Sequence, residues 1–157
     1  MQIVKTQVLV IGGGVTGAGI ARDLALRGVN CVIVEKHDIN AGASGANHGL
    51  LHSGARYVSS DAHSAEECRD EGRILKKMAP DCIEDTGGLF VAVAGDDETY
   101  ISEFPQLCAK SRIPVKELDI KEAREMEPAL SSKTIAAFQV QDASIGPFKL
   151  SMENIHQ

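Results

Sequence analysis

The first aliphatic run, residues 7–11, stops at Gly12, Gly13 and Gly14, and a second, residues 31–34, stops at Glu35. Unbroken β-branched runs of this length, bounded by glycine or charge, predict strands buried on both faces. Between them Ile20 and Leu24, with Ala21 and Ala25, recur at helical spacing, and Gly28 supplies a stop. A helix is therefore predicted over about residues 16–27. Residues 39–50 are rich in glycine and lose the periodicity, so they read as a loop able to lie close to a ligand. Helical spacing returns over residues 61–79. Cys68, Leu75 and Met78 form the buried stripe there, Ser64 and Glu67 a capping box, and Pro80 follows the end.

Residues 86–88 turn into a strand over residues 89–94. Asp96 and Asp97 can cap a helix reaching Ser111, in which Pro105 predicts a bend or a break. A short strand over 115–118 comes next. Asp119 and Glu122 then form a second capping box before a short helix that ends by Pro128. A final strand over 134–140 completes the pattern, and Gly146-Pro147 turns the chain. Strands alternating with helices read as an α/β fold. Spacing alone makes the strand at 89 a third parallel strand.

The candidate chemistry sits at the first of these boundaries. Gly12, Gly14 and Gly17 stand at G-x-G-x-x-G spacing between a predicted strand and a predicted helix. Gly12 permits the tight turn, Gly14 lets the backbone approach a pyrophosphate, and Gly17 lets the helix pack closely on the strand. A diphosphate would then rest on free amides at a helix N-terminus, where the helix dipole also favours negative charge. Glu35, at the end of the second strand and about 20 residues on, lies where such a fold places the acceptor for ribose hydroxyls. A glycine turn holding no ligand is the plainer alternative. His48 and His52 have the i, i+4 spacing of a metal pair, but no second ligand pair is visible, and Gly49 and Gly54 disfavour a regular helix. Arg56 and Tyr57 read either as a surface ion pair with a packed ring or as an anion-binding arm.

Composition removes several other classes. A net charge of −6 without a Lys/Arg cluster argues against a nucleic-acid surface. No stretch approaches the ~20 apolar residues of a membrane span, and no signal peptide is legible. Cys31, Cys68, Cys82 and Cys108 are scattered without C-x-x-C spacing. They disfavour zinc or an iron–sulfur cluster and read as reduced cytosolic thiols. The length is that of one domain.

Three stretches then carry a family resemblance: residues 11–23 around the glycine turn, Val34-Glu35-Lys36-His37-Asp38, and above all the run Asn-His-Gly-Leu-Leu-His-Ser-Gly-Ala-Arg-Tyr ending at Tyr57. The chain closely resembles the FAD-dependent glycerol-3-phosphate dehydrogenases, most nearly the large, A-type subunits of the anaerobic enzymes. Thr86-Gly87-Gly88-Leu89-Phe90 and Glu127-Pro128 extend the likeness over essentially the whole chain. The resemblance implies a Rossmann-like FAD-binding domain, begun by residues 1–80, interleaved with an antiparallel substrate-binding sheet to which residues 81–157 belong. On that basis the strand at 89 is assigned to the antiparallel sheet.

By the same resemblance Gly12, Gly13, Gly14, Thr16, Gly17, Glu35 and Lys36 bind the ADP half of FAD. Ser44, Gly45, Asn47, His48, Gly49 and Leu50 line the flavin side, and Arg56 and Tyr57 contact the substrate. The implied reaction is oxidation of sn-glycerol 3-phosphate to dihydroxyacetone phosphate, with electrons passed to a quinone through further, partner polypeptides. The implied location is cytoplasmic, with any membrane association peripheral and through those partners. The catalytic base stays unassigned.

Gly146-Pro147-Phe148-Lys149 departs from the family's Asp-Pro-Phe-Arg, losing a carboxylate and replacing a forked donor by a point charge. The family pattern also continues past residue 157. An N-terminal piece is therefore expected, one that needs a C-terminal half for a complete flavin site and retains FAD weakly or not at all alone. Two other readings stay open: a non-catalytic FAD-binding remnant, and a related FAD-dependent amino- or hydroxy-acid oxidoreductase.

Overall fold

β1 (Val8–Ile11) and β2 (Cys31–Val34) pair in parallel, Val8 opposite Cys31 and Ile11 opposite Val34, with α1 (Val15–Leu26) joining them. The computed structural model to which they belong describes residues 3–156. Ala18 and Ala21 are the buried residues of α1, and their methyl groups hold little volume between helix and sheet. Among the described residues β2 is the one strand paired with β1, and Leu9 and Ile11 stay 53% and 82% exposed.

This first compact unit comprises residues 3–49 with residues 145–156. Its late segment is a helix, α5 (Pro147–His156), which packs on α1 and buries Leu150, Ser151 and Asn154. Asn40 fastens it: its Nδ2 donates to the Pro147 carbonyl at 3.0 Å and its Oδ1 accepts from Ser151 Oγ at 2.9 Å. The sequence pattern placed a turn at Gly146-Pro147 and did not include α5.

The second unit, residues 50–144, is built on an antiparallel sheet. Its strands β5 (Gly88–Val93), β6 (Val115–Leu118) and β7 (Thr134–Val140) are ordered β5-β7-β6. Phe90 of β5 lies opposite Phe138 of β7. The helix α3 (Glu98–Lys110) sends Phe104 onto both rings, with centroids at 5.0 and 5.3 Å. On the other face α4 (Ile120–Met126) buries Ala123 against Ala137 and Leu118. Two covered faces explain why the apolar run at 89, by spacing alone, reads as a parallel strand; the antiparallel assignment is the one observed.

Three shorter strands, β3 (Leu50–Leu51), β4 (Ile83–Glu84) and β8 (Ala143–Ile145), make a second sheet in the order β3-β8-β4. The helix α2 (Ala62–Met78) is capped by Asp61, which accepts from Ser64 N–H at 3.1 Å; the expected Ser64–Glu67 box does not form. Asp97 caps α3, which continues through Pro105 to Lys110. Asp119 caps α4, while Glu122 turns to Lys116 at 2.7 Å instead of closing a box. The units divide at 49/50 and 144/145, not near residue 80. The cause is α2, whose Ala65 lies in the same core as Phe104 and Phe138.

Candidate functional site

The glycine turn folds as a cradle. Gly12 has φ +112°, a conformation that side chains with a Cβ rarely adopt, and its N–H donates to Val34 O at 2.8 Å. A Cβ on Gly17 would land on the Gly12 carbonyl oxygen, so helix and strand meet there backbone to backbone. Gly14 is the N-cap of α1 without a side-chain cap, and no acidic residue occupies the first turn. No acidic side chain of α1 itself therefore competes with an anion at that helix end.

Glu35 sits half-buried at the end of β2. Its Oε2 accepts from Gly13 N–H at 2.7 Å and its Oε1 from His37 N–H at 2.9 Å. The Gly13 bond first, and the His37 bond next, hold its carboxyl below the usual range. The group is thus ionised at neutral pH, and its bond to the turn is lost only as the pH falls through that lowered value. A carboxylate offers about four acceptor positions, so two remain for a pair of hydroxyls.

The glycine-rich loop returns to the same turn. Ser44 Oγ accepts from Val15 N–H at 3.0 Å, and a Cβ on Gly14 would stand 2.8 Å from that oxygen. The structure thus brings Gly12, Gly13, Gly14, Thr16, Gly17, Glu35 and Ser44 together within one unit, with Lys36 exposed beside Glu35. Other loop residues have local tasks. Asn47 donates to Ser44 O at 2.6 Å and accepts from Gly49 N–H at 2.7 Å, which closes the loop on itself. A Cβ on Gly45 would strike Asn40 O and the Phe148 ring, so packing alone requires its small size. His48 is exposed, and Leu50 begins β3 in the second unit.

In the second unit the histidine–arginine segment is anchored by a residue that the sequence pattern did not single out. Asp142 is 9% exposed; its Oδ1 accepts from Ser53 N–H at 2.7 Å and from Ser53 Oγ at 2.6 Å, and its Oδ2 lies 3.2 Å from His52 Nδ1. Facing a carboxylate, Nδ1 is the donor. A Cβ on Gly88 would stand 2.9 Å from the Asp142 Cβ, so the Thr86-Gly87-Gly88 turn leaves the space this side chain fills. Ala55–Tyr57 forms a 3₁₀ turn in which Arg56 is exposed, while Tyr57 packs against the aromatic core. Among the described residues no group of three or more His, Cys, Asp or Glu is placed to hold a metal.

The donor set of the cradle fits an adenine dinucleotide: a helix start whose N-cap Gly14 offers no side-chain cap, for the diphosphate, a glycine surface for close approach, and a carboxylate with spare acceptor positions for ribose. The model of the FAD dependent oxidoreductase family (DAO) matches residues 7–156. The A-type subunit of the anaerobic glycerol-3-phosphate dehydrogenase of Haemophilus influenzae is 50% identical over 151 residues, covering 96% of this chain and 27% of that protein. The chain spans about a quarter of the length of such relatives. Among solved structures, L-proline dehydrogenase from P. horikoshii aligns over 99% of this chain and 42% of its own, with TM-score 0.84 and 24% identity. The FAD-bound L-alpha-glycerophosphate oxidase of Mycoplasma pneumoniae aligns over 98% and 42%, with TM-score 0.81 and 21% identity. At these identities the two structures speak for the fold, while the family match rests on the sequence itself. With a nucleotide cradle of this geometry inside a match of that extent, the chain belongs to the FAD-dependent oxidoreductase family.

Proposed function

We propose that the chain is the portion of an FAD-dependent glycerol-3-phosphate dehydrogenase that holds the adenosine diphosphate half of FAD and begins the substrate site. The cradle at the start of α1, with Glu35 bonded across it, is the observation that carries this reading. The substrate proposal draws on the relatives' names and on Arg56, an exposed guanidinium suited to phosphate because it stays charged and forks onto two oxygens. The unit around the cradle would serve the cofactor, and the β5-β7-β6 sheet the substrate. When bound, the flavin supplies a two-electron acceptor for the hydride on C2 of glycerol 3-phosphate. This chain's groups bind and orient: the α1 N-terminus takes the diphosphate, Glu35 the ribose, and Arg56 beside Tyr57 the substrate phosphate. Onward electron transfer to a quinone through partner polypeptides, in a cytoplasmic setting and with those partners meeting the membrane surface, completes the proposal. Among the described residues no helix is long and apolar enough to cross a membrane.

Two substitutions test the two halves of the reading. In the complete flavin-loaded protein, Glu35→Ala should weaken FAD at least tenfold by fluorescence titration. Charge-assisted bonds are worth ~1.5–3 kcal/mol each and ~1.4 kcal/mol is tenfold. Unchanged affinity would remove Glu35 from the site. Arg56→Lys should raise KM for glycerol 3-phosphate with the flavin content intact, whereas loss of flavin at normal KM would make Arg56 structural.

A further inference from the structure

α2 segregates its charges. Glu66, Glu67, Asp70 and Glu71 line one surface depression, whereas Arg69, Arg73 and Lys76 line a separate cavity of about 300 Å³, joined there by Arg112 from the turn after α3. That volume is at the low end for small-molecule sites. Asp70 bonds both Arg69 and Arg73, Lys76 pairs with Asp85, and Asp142 bonds the lining residues His52 and Ser53, so three carboxylates stand against the four cations. Arg69, and then Arg73, hold the Asp70 carboxyl at about 2, so it stays ionised and keeps both guanidinium groups oriented. Arg69 also donates to Ser111 O, which ties α2 to the Arg112 turn. Arg56 is not part of this lining, although Leu51, His52 and Ser53, a few residues before it, are.

Two residues of the cavity depart from what their backbone favours. Arg112 follows the α3 C-cap and has φ +55°, in the position and conformation where glycine or asparagine is usual. Gly72 stands in the middle of α2, where alanine is favoured; a Cβ there would meet nothing nearer than His52 O at 4.0 Å. Packing thus does not require the glycine. Arg112 places a cation at the rim, and Gly72 leaves the helical wall free of a methyl group. Local departures of this kind, compensated elsewhere, are expected at functional sites.

We propose that this cavity binds a small phosphomonoester, held by Arg112 and Arg73 against Arg69 and Lys76, at a second site separate from the α1 cradle and from Arg56. The cations still outnumber the carboxylates, and a phosphate's oxygens accept forked guanidinium bonds from Arg112 and Arg73. The volume leaves room for a short organic tail.

The test is an amide NMR titration of the full 157-residue chain with inorganic phosphate and with ethyl phosphate, at ionic strength fixed by potassium chloride. Saturable shifts are expected at Gly72 and Arg112, stronger with ethyl phosphate. Arg112→Gly and Gly72→Ala should each raise the melting temperature, since each restores the residue the backbone favours, and each should lower the affinity at least tenfold. Arg56→Ala should leave it unchanged. Shifts that never saturate, shifts reproduced by chloride alone, or affinities untouched by both stabilising variants would overturn the proposal.

Discussion

Gly17→Ala should eliminate FAD retention in the complete protein and lower the stability of the unit that carries the cradle by about 3 kcal/mol or more, the upper part of the overpacking range. The new methyl would fall on the Gly12 carbonyl oxygen, with Gly12 C at 3.1 Å and Val10 Cγ1 at 3.4 Å. The first two are backbone atoms of the turn, so neither can rotate aside. Relief requires α1 to lift from β1, and lifting it carries the helix start away from the diphosphate it would bind. A loss of at least a hundredfold in FAD affinity, ~2.7 kcal/mol, follows if the helix start no longer reaches the phosphates. Gly19→Ala is the control, because nothing lies within 4 Å of its added Cβ. Helix propensity makes that substitution neutral or stabilising by up to ~1 kcal/mol. Equal melting temperatures and flavin contents for the two variants would show that the close approach at Gly17 has no energetic weight.

Asp142→Ala should cost about 3–5 kcal/mol in the second unit. It removes one buried acceptor shared by Ser53 N–H, Ser53 Oγ and His52 Nδ1, and each stranded buried donor costs ~1–3 kcal/mol. Asp142→Asn separates geometry from charge. Its Oδ1 can keep both Ser53 bonds, but its amide nitrogen would face His52 Nδ1 and force that nitrogen to accept. The Asn variant should therefore lose about 1–2 kcal/mol and shift the imidazole to the other tautomer, visible in its ¹⁵N chemical shifts. An Asn variant as unstable as the Ala variant, with no tautomer change, would mean the carboxylate serves only to fill space beside Gly88. The same loss should blur the position of Arg56, an exposed side chain that follows Ser53 by a few residues.

The elements legible in the sequence were those whose signal is local. β1 and β2 are apolar runs ended by glycine or charge, and α1 carries its own stop at Gly28. Glu35 was legible because the distance from the glycine turn to the second strand end is set by one strand–helix–strand unit. The start of α2 was ambiguous for a physical reason: Asp61 and Ser64 are both capping residues three positions apart, and Asp61 wins because Ser64 then donates its own N–H and hydroxyl to it. β3, β4 and β8 are two or three residues long and exist only through distant partners. Asp142 was missed likewise, its bonds reaching back 89 and 90 positions to Ser53 and His52. α5 did leave a trace, since proline just after a glycine turn is a favoured first helical residue.

Asn40 also fixes an order of events. Its bonds to Pro147 and Ser151 span 107 and 111 positions. Closing a loop of that length costs about 4 kcal/mol beyond the constant term, before any contact between α1 and α5 repays it. The intervening residues 50–144 contain a self-contained aromatic core, and condensing them first shortens the effective loop. Folding should thus proceed from the inside of the sequence outwards. The antiparallel unit gains amide protection early, and the glycine turn acquires its final packing last, although it precedes that unit in the sequence.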